Sequence, residues 1–138
     1  KRPGGFDAGW YYEPTILGCP SQAIRSTRVE LFGPVMSVIP FGTEDEGVAL
    51  ANDTEFGLAA GIFSSDASRV HRVARSVRAG IVWVNTYRAI SPIAPFGGFG
   101  NSGSGREAGV DAIGEFTRTK TVWINTSEQP MANPFTIR

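Results

Sequence analysis

The stretch Ala94–Glu107 constrains the fold more than any other part of this sequence. It carries glycine at 97, 98, 100, 103 and 105, phenylalanine at Phe96 and Phe99, and closes on Arg106 and Glu107. Glycine at this density permits left-handed backbone and close chain approach, which regular helix and strand do not need. A solvated linker would not carry two phenylalanines, so the loop must pack them against something or line a pocket with them. The plainer alternative is a long connection pinned by two aromatic anchors.

The flanking sequence alternates strand-like and helix-like segments. Gly9–Leu17 is aromatic and β-branched and reads as a strand, with Pro14 marking an edge or a strand start. Ser21–Arg28 is polar, with room for one helical turn. Glu30–Pro34 is a turn signal, and Val35–Phe41 reads as a buried strand. Thr43 and Glu46 form a capping box that predicts a helix to about Asn52, with Val48 and Ala51 on its inner face. Ala59–Phe63 is a short strand. Ser65 or Asp66 caps a helix in which Ala67, Val70, Val73, Ala74 and Val77 share one face. Arg69, Arg72, Arg75 and Arg78 share the other face, and Gly80 suits the position just past the helix end. The arginine stripe reads as a solvated face rather than a phosphate site. Ile81–Asn85 is apolar without alternation, as in a strand covered on both sides. Beyond the glycine-rich loop, Arg106–Thr117 predicts a helix burying Ala108, Ala112, Ile113 and Phe116, and Lys120–Asn125 predicts a last strand.

This order predicts an α/β fold, a largely parallel open sheet with flanking helices. Its parts are a main portion over 1–117, a strand segment over 118–127 and an extended tail over 128–138. The last strand follows the end of the α/β pattern and is apolar on both faces. It is expected to pair with another chain, making the protein a homo-oligomer through 120–125.

A chain of 138 residues can bury about two-thirds of its unfolded surface. Thirteen basic and thirteen acidic residues leave no net charge and no electrostatic case for nucleic acid or an anionic membrane. Apolar runs such as Ile81–Val84 are too short to span a bilayer. One cysteine fits a reducing, cytoplasmic setting. The first residue is Lys1, not methionine, with no signal peptide, so the chain is expected to be a fragment or to have been processed.

Cys19 lies in a turn with no charged neighbour in sequence and reads as inert rather than nucleophilic. His71 sits on the arginine helix and reads as a surface residue. One histidine and one cysteine make no metal site. Two carboxylates remain. Glu30 precedes an aromatic and a Gly-Pro turn and could accept hydrogen bonds from ligand hydroxyls. Glu107 would open the last helix, where the dipole favours it for structural reasons alone.

Five ordered segments together resemble the C-terminal part of the NAD(P)-dependent aldehyde dehydrogenase superfamily. They are Gly9–Thr15, Glu30–Val35, Ala51–Ala60, Gly80–Asn85 and Pro95–Glu107. The resemblance implies roles for several residues. Glu30 would bind the nicotinamide ribose and Phe32 would place the nicotinamide ring. Phe96 would wall the aldehyde channel, with Ile90 at a variable channel position that is often aromatic in relatives. Asn85 and Glu107 would support the site, and Glu107 would help relay protons. Gly100 and Asn101 stand where relatives often carry a lysine. The last strand resembles an oligomerisation strand. The cofactor would be NAD or NADP and the substrate an aldehyde, oxidised to a carboxylate.

In that family a cysteine thiolate attacks the aldehyde, hydride passes to the nicotinamide, and a glutamate activates water. The resemblance places that cysteine, that glutamate and the dinucleotide-binding domain upstream of these 138 residues, and Cys19 does not match the nucleophile. The expectation is a C-terminal fragment of an aldehyde dehydrogenase, an oxidoreductase, inactive alone. The alternative is a stand-alone, non-catalytic assembly or binding module derived from such an enzyme.

Overall fold

A computed structural model describes residues 2–6, 8–129, 133 and 135. Of the 128–138 tail, residues 130–132, 134 and 136–138 lie outside them. Strands β1 (Thr15–Gly18) and β2 (Val35–Val38) form one parallel pair, with Thr15 opposite Val35 and Gly18 opposite Val38. Helix α1 (Glu44–Asn52) follows. Strand β3 (Ala59–Ile62), helix α2 (Ala67–Ser76) and strand β4 (Ile81–Val84) then form a βαβ unit, its strands parallel with Ala59 opposite Ile81. A short helix α3 (Ile113–Phe116) comes last. The parallel α/β reading holds, but as two separate two-stranded sheets rather than one.

Local chemistry explains where these elements start and stop. Pro14 has no N–H to donate, so the β1 ladder opens one residue later, where the Thr15 N–H reaches the Pro34 carbonyl at 2.8 Å. The strand predicted from Gly9 therefore begins at Thr15, and Trp10 is fully exposed. Strand β2 stops at Val38, two residues before Pro40, short of the predicted Phe41. The Ser21–Arg28 segment holds a single 3-10 turn, Arg25–Thr27. Thr43 caps α1 as expected, its Oγ1 accepting from the Glu46 N–H at 3.2 Å. The Glu46 carboxylate reaches back one residue further than a standard box, to the Gly42 N–H at 2.7 Å.

Asp66, not Ser65, caps α2, its Oδ1 accepting from the Arg69 N–H at 3.0 Å. Helix α2 ends at Ser76 with Val77 as its cap, so Gly80 is not the helix stop. The side chain of Asn52 closes that end instead: its Nδ2 donates to the Ser76 carbonyl and its Oδ1 accepts from the Arg78 N–H.

All four arginines of the stripe are exposed, and two of them also pair with α1. Arg69 and Arg72 both donate to the Glu44 carboxylate at the start of α1, at 3.0–3.1 Å, and so clamp α1 to α2. The hydrogen bond from Arg72 is the leading cause that holds the Glu44 carboxyl below its ordinary range. A depressed carboxyl stabilises the fold above the ordinary glutamate range, and that contribution is lost as pH falls through the depressed value. Glu44→Gln is expected to lower the thermal midpoint by about 1–3 °C at neutral pH, in keeping with a solvent-screened pair. Melts at progressively lower pH should show the two proteins converging. A gap that persists in acid would mean the clamp does not depend on the charge.

Burial departs furthest from expectation. The chain exposes 11479 Å², against about 7000 Å² for a self-contained protein of its mass. It covers only about half of its unfolded surface rather than two-thirds. Among the described residues Cys19, 3 % exposed, is the one fully buried side chain. Strand β4 is half-buried at all four positions. On α1, Val48 is half-buried but Ala51 is exposed. The predicted 106–117 helix shrinks to α3, preceded by a 3-10 turn at Val110–Ala112, because Ala108 (φ 58°) and Gly109 (φ 61°) are left-handed and break it. Ala108 and Ala112 are half-buried, whereas Ile113 and Phe116 are exposed. The 120–125 segment pairs with no strand among the described residues, and Val122, Trp123 and Ile124 are exposed.

Candidate functional site

The glycine-rich loop is held by backbone contacts that only glycine allows. The Gly57 carbonyl accepts from both the Gly80 and Phe99 N–H groups at 3.0 Å. Three chain segments meet there. A Cβ on Gly57 would lie 2.9 Å from the Arg78 carbonyl oxygen, and a Cβ on Gly80 would overlap the Gly97 carbonyl. Gly80 is thus a crossing point between the βαβ unit and the loop, not a helix terminator.

Side chains complete the attachment. Ser102 Oγ accepts from the Gly57 N–H at 3.1 Å. Asn101 donates through its backbone to the Glu55 carbonyl at 2.9 Å and through Nδ2 to the Glu55 carboxylate at 2.7 Å. Asn101 is therefore engaged within the chain. At the far end of the loop, Arg106 Nη1 donates to the Gly98 and Gly105 carbonyls, each at 2.9 Å. Its guanidinium lies 5.3 Å from the centroid of the Phe99 ring. Sequence pattern alone marks Arg106 as the end of the motif and the start of a helix, not as a donor to the loop. A lone arginine amid five glycines, with many free carbonyls to gather, was the available signal.

This scaffold brings Phe96 and Glu107 together. Each donates its N–H to the other's carbonyl at 2.7 Å, an isolated antiparallel bridge. Both line a cleft of 640 Å³ with Leu58, Arg106, Glu115 and Phe116. Helix α3 begins six residues after Glu107, so the helix dipole does not account for this carboxylate.

Glu30 lies in a neighbouring cleft of 620 Å³ lined also by Arg28, Thr54, Arg78 and Asn101. Leu58 and Ser102 line both clefts and separate them. Phe32 is 93 % exposed, and its φ of 41° puts a non-glycine residue in left-handed backbone.

Asn85 ends β4 in the same unusual conformation, at φ 51°. Its N–H extends the ladder to the Ile62 carbonyl. Its amide closes a ring on Ser64, accepting from the N–H and donating to the carbonyl, both at 2.9 Å. Both ends of that amide are used, which suits support rather than ligand contact. Trp83 Nε1 donates to the Ala89 carbonyl at 2.8 Å, and Tyr87 meets its ring edge-on at 5.3 Å. Ile90 follows this tethered turn, exposed, and lines neither cleft.

Cys19 is buried, its thiol facing the Leu17 carbonyl at 3.6 Å and Ser26 Oγ at 3.9 Å, in keeping with an inert role. His71 is exposed. Among the described residues there is no cluster of three metal-ligating side chains, and no helix is long and apolar enough to cross a membrane.

The sequence model of the aldehyde dehydrogenase family matches residues 1–122. A (Z)-2-((N-methylformamido)methylene)-5-hydroxybutyrolactone dehydrogenase from Acinetobacter baylyi is 54% identical over 132 residues, 95% of this chain and 27% of that protein. Among solved structures, a point variant of the betaine aldehyde dehydrogenase of Staphylococcus aureus, in complex with NAD+, superposes with a TM-score of 0.87 at 37% identity. That match covers 99% of this chain and 28% of the other. A variant of the indole-3-acetaldehyde dehydrogenase of P. syringae, in complex with NAD+ and IAA, gives 0.78 at 46% identity, covering 83% and 23%. The chain spans about a quarter of the length of the curated relatives it matches.

Proposed function

This chain belongs to the aldehyde dehydrogenase family, and from that premise we propose that it is the C-terminal part of an enzyme that oxidises an aldehyde to a carboxylate with NAD+ or NADP+. The observation that carries the fragment reading is the surface. A chain that leaves 11479 Å² exposed and buries one side chain among the described residues lacks the layers that would cover it.

The residues fit a nicotinamide cofactor. Among the described residues nothing hydrogen-bonds the Glu30 carboxylate, and the Phe32 ring is open to solvent. The first can accept from both vicinal hydroxyls of a ribose, and the second offers a flat apolar face to a flat ring. When bound, the nicotinamide supplies the hydride acceptor. Phe96 walls the aldehyde channel from the bridge that also carries Glu107. Glu107, with a free carboxylate at a cleft, is placed to hold or pass a proton. Asn85 fixes the end of β4, and Ile90, exposed beyond it and outside both clefts, would reach the channel only at its outer mouth. The exposed Val122–Ile124 run adds a strand to a second copy of the protein.

The nucleophilic cysteine and the water-activating glutamate lie outside these residues, so the chain alone is inactive. The test compares the whole gene product that contains this chain with the isolated 138 residues, each given aldehydes with NAD+ and with NADP+. Nicotinamide reduction is read by absorbance. The whole product should turn over and the isolated chain should not. No reduction by the whole product would sink the dehydrogenase reading. Turnover by the isolated chain would sink the claim that its chemistry lies elsewhere.

A further inference from the structure

We infer that Arg28 and Asp53, with Gln22, are positioning residues that set the Glu30–Phe32 arch at the height the cofactor ribose needs; this rests on the dehydrogenase reading above. The arch hangs between two anchors. On its downstream side the Val35 N–H meets the Gly33 carbonyl at 2.7 Å and the β1–β2 ladder begins. On its upstream side stands Arg28, two residues before Glu30. Its Nη1 and Nη2 fork onto the Asp53 carboxylate at 2.9 and 2.7 Å. Nη1 also reaches the Asp53 carbonyl at 3.1 Å, and Nε reaches the Gln22 carbonyl at 2.9 Å.

Gln22 closes the knot from below. Its Nε2 donates to the Leu50 carbonyl at 2.7 Å and the Asp53 carbonyl at 3.2 Å. These are carbonyls at the C-terminal end of α1, where a cation and an added donor are both favoured. The 20–28 segment is thereby fastened to α1, and α1 is fastened to α2 through Glu44.

Between the two anchors the arch has no support of its own. Among the described residues no hydrogen bond is made by Glu30, Leu31 or Phe32, and all three are exposed. Phe32 holds a left-handed backbone that costs free energy and persists only while its surroundings impose it. Loosening the upstream anchor frees the arch to relax. The carboxylate and ring then leave the positions that a ribose and a nicotinamide require, while Phe96 and the aldehyde-facing cleft stay in place. The prediction is a selective loss at the cofactor.

The test uses the whole gene product with Arg28→Met, Arg28→Lys and Asp53→Asn. Arg28→Met should raise the KM for the nicotinamide cofactor about fivefold, with the aldehyde KM within about twofold of the parent. Asp53→Asn keeps the carbonyl acceptor and should raise the cofactor KM about threefold. Arg28→Lys, which keeps the charge and loses the fork, should not restore the parent value. Should Arg28→Met fail to fold, Asp53→Asn decides. Cofactor KM values unchanged in all variants overturn the inference, as does a parallel rise in both KM values with a lower thermal midpoint, which marks a merely structural role. Absence of cofactor reduction by the unsubstituted product overturns the dehydrogenase reading and this inference with it.

Discussion

Gly80→Ala should destabilise the fold by about 3 kcal/mol, the upper end of overpacking costs. The added methyl would overlap the Gly97 carbonyl and press on Gly98 Cα, and both are backbone atoms that cannot rotate away. Relief requires the loop to lift from the βαβ unit. That movement breaks the two hydrogen bonds that the Gly57 carbonyl receives from Gly80 and Phe99. Thermal melts of the protein should show the midpoint falling by several degrees, with earlier proteolysis in the 94–107 loop. Gly114→Ala provides the comparison. Nothing lies within 4 Å of a Cβ there, the residue is in α3, and alanine is the better helix former. It should be neutral or stabilising by up to about 1 kcal/mol. If the two substitutions behave alike, the crossing at Gly57 is not as tight as described.

Arg106→Met should cost about 2 kcal/mol of stability, and in the whole gene product about a hundredfold in kcat/KM. Methionine keeps much of the apolar stem, so the loss isolates the guanidinium. The Gly98 and Gly105 carbonyls lose their shared donor, and the Phe99 ring loses its cation. A half-buried carbonyl without a partner is worse off than one that never left water. The activity effect exceeds the stability effect because Phe96 and Glu107 sit on the segment that Arg106 gathers, and small displacements at a reacting site are costly. Arg106→Lys should recover little, since an ammonium cannot spread over two carbonyls and a ring in one plane. Steady-state kinetics beside a melt separate the two effects. Kinetic losses that merely follow the fraction unfolded would show that Arg106 stabilises without positioning.

What could be read from the sequence was local. The Thr43–Glu46 box, the Asp66 cap and the apolar face of α2 depend on residues three or four apart, and both helices stand where those signals put them. The unalternating Ile81–Val84 run likewise became a strand, half-buried at all four positions rather than covered. What could not be read was set by partners far along the chain. Glu44 answers Arg69 and Arg72 some 25 residues later, so the exposed stripe gave no sign of the clamp it makes. Gly80 resembled a helix stop because the crossing with Gly97 has no sequence signature. The left-handed turn at Ala108 is imposed by the loop's closure, and it removed most of a helix that composition alone supported.

The candidate site divides the same way. Phe96 and Glu107 were legible as members of one motif, and the structure pairs them. Glu30 and Phe32 were legible as an aromatic-acid turn. The Asp53 carboxylate that accepts the Arg28 fork lies 25 residues away in sequence, invisible to any spacing rule.

The uncovered surface has a consequence for the life of the polypeptide. The chain exposes about 4500 Å² more than a self-contained protein of its mass would show. Two short parallel ribbons with open edges are the forms that chaperones bind and proteases cut. A polypeptide with this much open surface would have its abundance governed by triage in the cell, and on the fragment reading proposed above its lifetime would depend on how soon that surface is covered.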